Sequence, residues 1–388
     1  MQGHRLCRRT DPKTYLPPSG SPPDPMDSLT QFALGAAVGA ALLGPRIGPR
    51  RAAIAGGLLG TLPDLDVLYP FDDPIDAFTL HRGATHSFFV QALAAPVFGE
   101  ALVRLFEGLR DQRLRSYLAV YLIFVTHAII DALTVYGTRV FWPLFPDPVG
   151  AGSIFIIDPL YTLPLLVVVI WALFKGNWTP RFGKAATAAL IVSTAYLGAG
   201  LAAQQAVETR ARTLLAEAGV YPDRLLANPT PFNSLFWKVI AVTGDRYVNL
   251  YVPLFGPQER ITAYIHPRGT EHLECLGESE ALDKLAAFSD GFYGVDLEDG
   301  EVVVSDLRMG MTPNYVFRFA IAEETAEGLE AMAPERRRSQ RQAEGDLDWL
   351  LANLSGEAAL RPVETPWVAD LSGPTAFAGS GTPATTGC

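Results

Sequence analysis

The sequence predicts a membrane all-α helical bundle of about five to six hydrophobic helices, followed by a small α+β extramembrane domain. Hydrophobic residues make up 49% of the 388-residue chain and are concentrated before residue 206. Residues 1–206 contain 16 Lys and Arg and 14 Asp and Glu, whereas residues 207–388 contain 15 and 27. A near-neutral apolar half and an acidic polar half indicate two environments, and the acidic half is a poor partner for nucleic acid.

Six apolar segments build the predicted bundle, at about 29–44, 52–63, 88–106, 117–136, 154–174 and 185–203. The last four have about 19–21 residues each, which is enough to cross roughly 30 Å of hydrocarbon. The first two are shorter and rich in small residues. Gly35 and Gly39, like Gly56 and Gly60, lie four residues apart, a spacing that lets helices pack closely. These two segments therefore form a tight hairpin or enter the bilayer only in part.

Basic side chains cluster in three alternate loops of the bundle. They are Arg46, Arg50 and Arg51 in the first loop, Arg110, Arg113 and Arg115 after the third segment, and Lys175, Arg181 and Lys184 after the fifth. Cytoplasmic loops carry an excess of Lys and Arg, so these loops are expected in the cytoplasm. The sequence therefore predicts a multi-pass protein of the cell (inner) membrane whose C-terminal domain is extracytoplasmic.

The chain divides into four predicted regions. Residues 1–25 are a disordered leader or precede the true start at Met26, and residues 26–206 form the membrane domain. Residues 207–330 form the α+β domain, with an amphipathic helix at Gln204–Ala218 leading into it. Residues 331–388 are a polar linker, a short helix at about 346–353 and a disordered tail from about 370. The expected elements of the α+β domain are strands Phe236–Thr243, Tyr247–Leu254, Arg260–His266, Phe292–Leu297, Glu301–Asp306 and Tyr315–Ile321, with a helix at about 279–289.

Three polar clusters interrupt the apolar half, at Leu62–Asp66, His81–Ser87 and His127–Asp131. Ionisable groups in apolar surroundings are costly and usually functional. By the loop assignment, all three clusters reach the outer end of the bundle. Imidazoles and carboxylates together suit divalent metal ions. The candidate metal ligands are Asp64, Asp66, His81, His86, His127 and Asp131.

Each cluster also has an ordinary structural explanation. His127 and Asp131 share a helix face, as a ligand pair or as a hydrogen-bonded pair between helices. Asp64 and Asp66, in extended or turn geometry, face the same way. They either bridge two ions, or one ligates while the other is a base, or they are solvated loop residues. Arg82 offers a fork suited to phosphate or carboxylate oxygens. Asp64, Asp66 and Arg82 are the candidate catalytic residues.

At these residues the chain resembles the membrane-bound, metal-dependent hydrolase family of the LexA-regulated inner-membrane type. The resemblance covers about residues 26–165 and, more loosely, residues 231–237. Its most specific string is His81-Arg-Gly-Ala-Thr-His-Ser87. Other strings that carry it are Met26–Gln31, Leu62–Asp66, His127–Asp131 with Thr134, Trp142–Leu144 and Ile157–Pro159.

The resemblance implies that all six candidate ligands bind metal and that the chemistry is hydrolytic. The family's affinity to zinc-dependent phospholipase C and single-strand nuclease folds implies a phosphoester substrate. Many members carry a His where this chain has Gln31, so one metal position is implied to be missing, weaker or water-filled. Four residues are expected to surround the ligands, namely Gln31, Thr85, Thr134 and Asp158, the last of which is alternatively a helix N-cap.

The sequence thus predicts an integral-membrane metal-dependent hydrolase with a divalent metal, zinc first and manganese or magnesium as alternatives. Its expected partners are the lipid bilayer and a lipid or phosphoester substrate. The alternative is a non-catalytic, metal-stabilised membrane scaffold or transport-associated protein whose acidic outer domain binds a partner. A third possibility is that the outer domain supplies specificity and the membrane half is an anchor. Tyr136 and Trp142 are expected in the interfacial belt.

Overall fold

A computed structural model describes residues 25–371 except residues 72, 156, 275, 327, 340 and 341, without the side chains of residues 25–27. Residues 1–24 of the predicted leader and nearly all of the predicted tail lie outside the described residues. The membrane half contains helices α1 Pro25–Ile47, α2 Pro49–Gly60, α3 Pro74–Thr79, α4 Phe88–Leu105, α5 Arg113–Leu133, α6 Pro159–Phe174 and α7 Pro180–Glu217.

Local sequence explains where several of these helices begin. Proline, which lacks an N–H and has a helical φ, starts α2, α3, α6 and α7. Side chains of Ser87, Asp158 and Thr179 accept hydrogen bonds from the first backbone N–H groups of α4, α6 and α7. These caps satisfy donors that have no partner inside the helix.

Four of the described helices are long and apolar enough to cross a membrane: Ser28–Ile47 within α1, then α4, α5 and α7. Helix α6 has 16 residues, fewer than the 154–174 segment predicted, because the Asp158 cap and Pro159 delay its start. The sequence did not decide whether segment 29–44 crosses the membrane fully. This segment belongs to α1, which has 23 residues, whereas α2 has 12 residues. The predicted membrane segment 185–203 and the amphipathic helix after it are one continuous helix, α7.

Helices α1 and α2 form the tight hairpin that the glycine spacing indicated. A Cβ atom added at Gly35 or at Gly56 would collide with the backbone of the other helix, and one at Gly39 would lie 2.6 Å from the Ala52 carbonyl oxygen. Only residues without a side chain permit this approach. The hairpin therefore brings the end of α2 against the beginning of α1.

The three basic loops lie together at one end of the bundle. Arg46 is 3.9 Å from Asp111, and Arg115 donates to the Leu42 carbonyl. The loop after α6 joins them there, because a Cβ atom added at Gly48 would lie 3.2 Å from the Gly176 carbonyl oxygen. The polar clusters occupy the opposite end.

The described residues of the C-terminal half form three antiparallel sheets. The first has the order β1-β2-β3-β4-β11, the second β10-β9-β6-β5, and the third is the pair β7-β8. The bounds are β1 Arg224–Pro229, β2 Phe236–Thr243, β3 Arg246–Pro253, β4 Thr262–Pro267, α8 Glu280–Phe288, β5 Tyr293–Glu298, β6 Glu301–Asp306, β7 Gly310–Met311, β8 Asn314–Tyr315, β9 Arg318–Thr325, β10 Gly328–Arg336, α9 Asp346–Ser355 and β11 Val368–Ala369. The expectation that a domain with β-strands follows the helical half is confirmed, since the C-terminal half is rich in β-sheet. The expectation of a linker from residue 331 was wrong, since β10 runs through it.

The second sheet packs over the loops that carry the polar clusters. Phe78 of α3 contacts the rings of Phe288, Phe317 and Phe319. Lys284 of α8 lies 3.1 Å from Asp73 and 2.9 Å from Asp76, at the start of α3. An aromatic core and an ion-pair cluster thus join the C-terminal domain to the polar end of the bundle.

Candidate metal centre

Three elements bring four potential ligands to one place. Asp64 lies in a 3-10 helix, Pro63–Leu68, which we call the Asp64 turn and which follows α2 directly. His86 ends a second 3-10 helix immediately before α4. His127 and Asp131 lie one turn apart on α5 and are both buried. Residues up to 67 positions apart in sequence therefore converge because α2, α4 and α5 meet at this end of the bundle.

The ligand atoms of these four residues lie close together. His86 Nε2 lies 3.0 Å from His127 Nε2, 3.1 Å from Asp131 Oδ2 and 3.4 Å from Asp64 Oδ1. His127 Nε2 lies 3.3 Å from each of the same two carboxylate oxygens. One ligand atom from each of the four residues lies within 4.8 Å of all the others.

This spacing fits a single bound cation. Ligands about 2.0–2.1 Å from a tetrahedral zinc ion are about 3.3–3.4 Å from one another. Asp131 Oδ2 is buried and accepts no hydrogen bond of good geometry from any described residue, although Arg82 Nε lies 3.4 Å away, so this oxygen keeps acceptor capacity for a metal ion. Asp64, Asp66 and Asp131 with Arg82 leave two uncompensated negative charges when the imidazoles are neutral. A divalent cation would neutralise them.

Neighbouring groups orient both imidazoles. His127 Nδ1 is 2.6 Å from the Gly60 carbonyl oxygen, and His86 Nδ1 is 2.9 Å from Thr85 Oγ1. A carbonyl oxygen only accepts, so His127 carries a hydrogen on Nδ1 and, when neutral, presents the Nε2 lone pair to the centre. Such outer hydrogen bonds fix the tautomer of metal-binding histidines.

Asp131 is held by three side chains. Gln31 Nε2 donates to Asp131 Oδ1 at 2.7 Å, and Arg82 Nε lies 3.4 Å from Oδ2. Thr134 donates to the Asp131 carbonyl and accepts from Arg82. Gln31 thus acts as a donor to a ligand at the position where the resemblance implied a histidine. These contacts place Gln31, Thr85 and Thr134 around the ligands.

Asp66 and His81 lie beside the four-ligand group and pair with each other. His81 Nδ1 is 2.7 Å from Asp66 Oδ1. Asp66 Oδ2 accepts from Thr85 at 2.7 Å and from the backbone N–H of Arg82 at 3.2 Å. Burial alone would raise the pKa of Asp66, but the hydrogen bond and charge of His81 hold it below its ordinary value. For Asp64, burial likewise opposes ionisation, and hydrogen bonds with His127 and His86 hold its pKa well below the usual range.

The remaining expected site residue, Asp158, serves as the cap rather than as a partner of the ligands. It accepts from Leu160 N, Tyr196 OH and Ser234 Oγ, and so ties α6 to α7 and to the C-terminal domain. Tyr136, expected in the interfacial belt, is buried instead. Its ring lies 5.9 Å from that of His81 and 4.9 Å from the Arg82 guanidinium.

Two groups that lie around the centre could not be identified from the types of residue in the sequence. The Gly60 carbonyl is a backbone group, which every residue has. Tyr136 is turned inward by contacts with Phe78 and Phe317, which lie far from it in sequence. Long-range packing rather than local pattern decides both.

No curated protein and no solved structure is detectably similar to this chain. Residues 26–207 match the family model described as YdjM inner membrane protein. This range contains the four candidate membrane-spanning stretches, apart from the end of α7, and every residue of the centre. This match and the four long apolar helices support the expectation of a membrane protein. The helical half of the chain is therefore similar to an inner-membrane protein family, with the candidate metal centre wholly inside the similar region.

Proposed function

We propose that this protein is an integral-membrane metal-dependent hydrolase whose centre lies at the outer membrane interface. A divalent metal held there activates water for attack on an ester or phosphoester. The observation that carries this proposal is the close spacing, 3.0–3.4 Å, of His86 Nε2 and its three neighbouring ligand atoms. Four groups of this type at this spacing have the arrangement of a binding site for one small cation.

The donor set favours zinc. Imidazole nitrogens suit zinc and other transition metals, whereas magnesium prefers sites built from oxygen alone. Two imidazoles with two carboxylates fall between these cases, so manganese and magnesium remain alternatives to be distinguished by metal analysis. In a site of this kind the ion lowers the pKa of a bound water to about 7 and polarises the group under attack.

The protein's own groups would supply proton transfer and charge. Asp66 is ionised, lies next to the ligand group and is held by Thr85 and His81. The Asp66–His81 pair is therefore the proposed proton acceptor. Arg82, whose guanidinium lies between Asp131 and Thr134, would balance negative charge that develops during attack.

The basic loops support the orientation proposed above. They gather at the end of the bundle opposite to the centre. If that end is cytoplasmic, as the charge bias favours, the centre and the outer domain face the other side of the membrane.

A second function, that of a metal-stabilised scaffold, has one observation in its favour. Four protein ligands complete a tetrahedron, which is typical of structural zinc sites, whereas catalytic sites keep one position open. His86, His127 and Asp131 are also almost fully buried. Catalysis at this centre therefore requires Asp64, the most exposed of the four, to yield a position or a fifth ligand to bind.

Metal analysis combined with turnover separates the two functions. We expect about one zinc per chain in detergent-purified protein, loss of the metal in His86→Ala and Asp131→Ala, and metal-dependent hydrolysis of bis(p-nitrophenyl) phosphate. His272→Ala, in the outer-domain turn Thr270–Leu273, is the matched histidine control and should keep both properties. A stoichiometric metal without turnover would favour the scaffold. Normal metal content in both ligand variants would contradict the centre itself.

A further inference from the structure

We propose that the substrate is a phosphoester lipid that reaches the centre sideways from the membrane, across the Asp64 turn. This inference rests on the proposed function and names its substrate class. It follows from which side of the centre is accessible, what covers that side, how deep the centre lies, and what closes the aqueous side.

The accessible side of the centre is the side of the Asp64 turn. His86, His127 and Asp131 are at most 1% exposed. The side chains of Asp64, Asp66 and His81 are 16%, 15% and 20% exposed. Among the described site residues, those that a substrate can reach therefore lie on this turn or pair with it.

The same turn exposes large apolar side chains. Leu65, Val67, Leu68 and Tyr69 are all exposed, and Leu68 is 75% exposed. Neighbouring Leu58 extends the apolar surface down α2. A contiguous apolar surface on an exposed loop marks a membrane or protein contact. Because it continues the surface of a membrane bundle, the occupant that fits it is lipid.

The depth of the centre leads to the same conclusion. From the basic end, α2 rises about 18 Å over its 12 residues. Helix α5 likewise rises about 21 Å from Arg113 to His127. The hydrocarbon core is about 30 Å thick, so a centre at this height lies within about 10 Å of its outer boundary. A substrate that brings its own apolar chains can present a phosphoester there without burying a hydrated solute.

The outer domain closes the aqueous side next to His81. Phe78, Tyr136 and Phe317 form an aromatic layer there, with ring centroids 3.8–5.7 Å apart. Lys284 clamps α3 onto this layer through Asp73 and Asp76. With the bundle behind the centre and this layer above it, the Asp64 turn is the route that the described residues leave accessible.

The test compares a lipid with a soluble substrate on the full zinc-loaded chain in nanodiscs. The substrates are phosphatidylglycerol in the nanodisc and bis(p-nitrophenyl) phosphate in solution. Leu68→Gln should lower the ratio of lipid to soluble turnover about tenfold, the effect expected when one well-buried leucine contact is lost. Leu114→Gln is the matched control, because Leu114 is 71% exposed at the opposite end of α5. Equal ratios in the two variants would overturn the proposal.

A second readout does not depend on turnover. Phosphatidylglycerol carrying a diazirine near its glycerol should label residues 63–69 in the unmodified protein and label them less in Leu68→Gln. Absence of label from that stretch overturns lipid entry even if hydrolysis occurs. If the zinc-loaded protein hydrolyses neither substrate, the proposed function fails, and labelling of this stretch alone then decides whether a lipid binds here.

Discussion

At the scale of single residues, the candidate ligands named from the polar clusters lie near one another but fall into two groups. All six expected ligands lie at the same end of the bundle, and four share one spot. Asp64 and Asp66 were expected to face the same way, as residues two apart do in an extended chain. They lie instead in a 3-10 helix, where three residues complete a turn and positions two apart diverge. Asp64 therefore turns to α5, whereas Asp66 turns to His81 and Thr85.

Gln31 gives the first prediction, at this scale. Its amide donates to Asp131 Oδ1 and so leaves Oδ2 facing the centre. We expect Gln31→Ala to weaken zinc affinity about 10- to 100-fold, the usual effect of losing an outer-shell hydrogen bond. Competition with a chelator in detergent measures this. Gln205→Ala, at an exposed position of α7, is the control, and an unchanged affinity in Gln31→Ala would contradict the positioning role.

At the scale of elements, a buried strand with a regular apolar pattern could be predicted from the sequence, whereas a strand at the edge of a sheet could not. Strand β2 occupies the predicted residues because its apolar run is buried throughout. Strand β10 was missed because it is polar, contains Pro334 and carries a register shift between Ala331 and Glu335. Such features are typical of edge strands, where unpaired backbone must be protected from other chains. A polar edge strand and a polar linker therefore look alike in sequence.

The second prediction concerns the α1–α2 hairpin. A side chain at Gly56 would meet the backbone at both Gly35 and Gly39. Gly56→Val should therefore lower the Tm of the detergent-solubilised protein by several degrees, since separation of the helices would create cavities. It should also weaken metal binding, because the hairpin positions the Gly60 carbonyl that orients His127.

Gly198→Ala is the matched control for this experiment. A Cβ at Gly198 in α7 meets nothing within 4 Å, and replacing a helical glycine by alanine is favourable by about 1 kcal/mol. Its Tm should stay the same or rise. A Gly56→Val variant as stable as Gly198→Ala would show that close backbone packing does not hold the hairpin.

A third prediction concerns the segment after α9, which returns to the first sheet through Glu364. Glu364 is fully buried and accepts from Asn249, Tyr251, His266 and Arg361 at 2.6–2.8 Å. Burial alone would raise its pKa, but the hydrogen bond with His266 and the charge of Arg361 lower it from 4.5 to about 2.

The sign of the pH effect follows from this shift. The unfolded chain binds the proton first, so the stabilisation is complete above about pH 4.5 and is lost as the pH falls toward 2. It amounts to about 3 kcal/mol. Glu364→Gln should be less stable at pH 7 and lose less of its Tm between pH 5 and pH 3 than the unmodified protein. Glu357→Gln, at an exposed position of the same segment, should keep the full acid dependence, and equal slopes in both variants would contradict the assignment.

At the scale of the whole molecule, α7 couples the two halves. Its first part packs Ala186 and Ala189 into the bundle core, and its last part packs Val207, Ala211 and Leu215 against the first sheet. The composition change near residue 206 predicted a boundary there, but no glycine or proline occurs at that point to end the helix. The composition change therefore marks the point where the surroundings of one continuous helix change from the bundle core to the first sheet.

The last prediction concerns the orientation of the protein in the membrane. Basic residues gather at one end of the bundle, and the acidic domain lies at the other. Lys and Arg bias cytoplasmic loops, whereas acidic residues contribute little to topology. Asp299, at the β5–β6 turn, should therefore be extracytoplasmic, and Gly176, beside the basic loops, should be cytoplasmic. In a chain whose three native cysteines are replaced by serine, Asp299→Cys should react with a membrane-impermeant maleimide in intact spheroplasts. Gly176→Cys should react only after permeabilisation, because its loop would be shielded by the membrane, and the reverse pattern would place the metal centre on the cytoplasmic side.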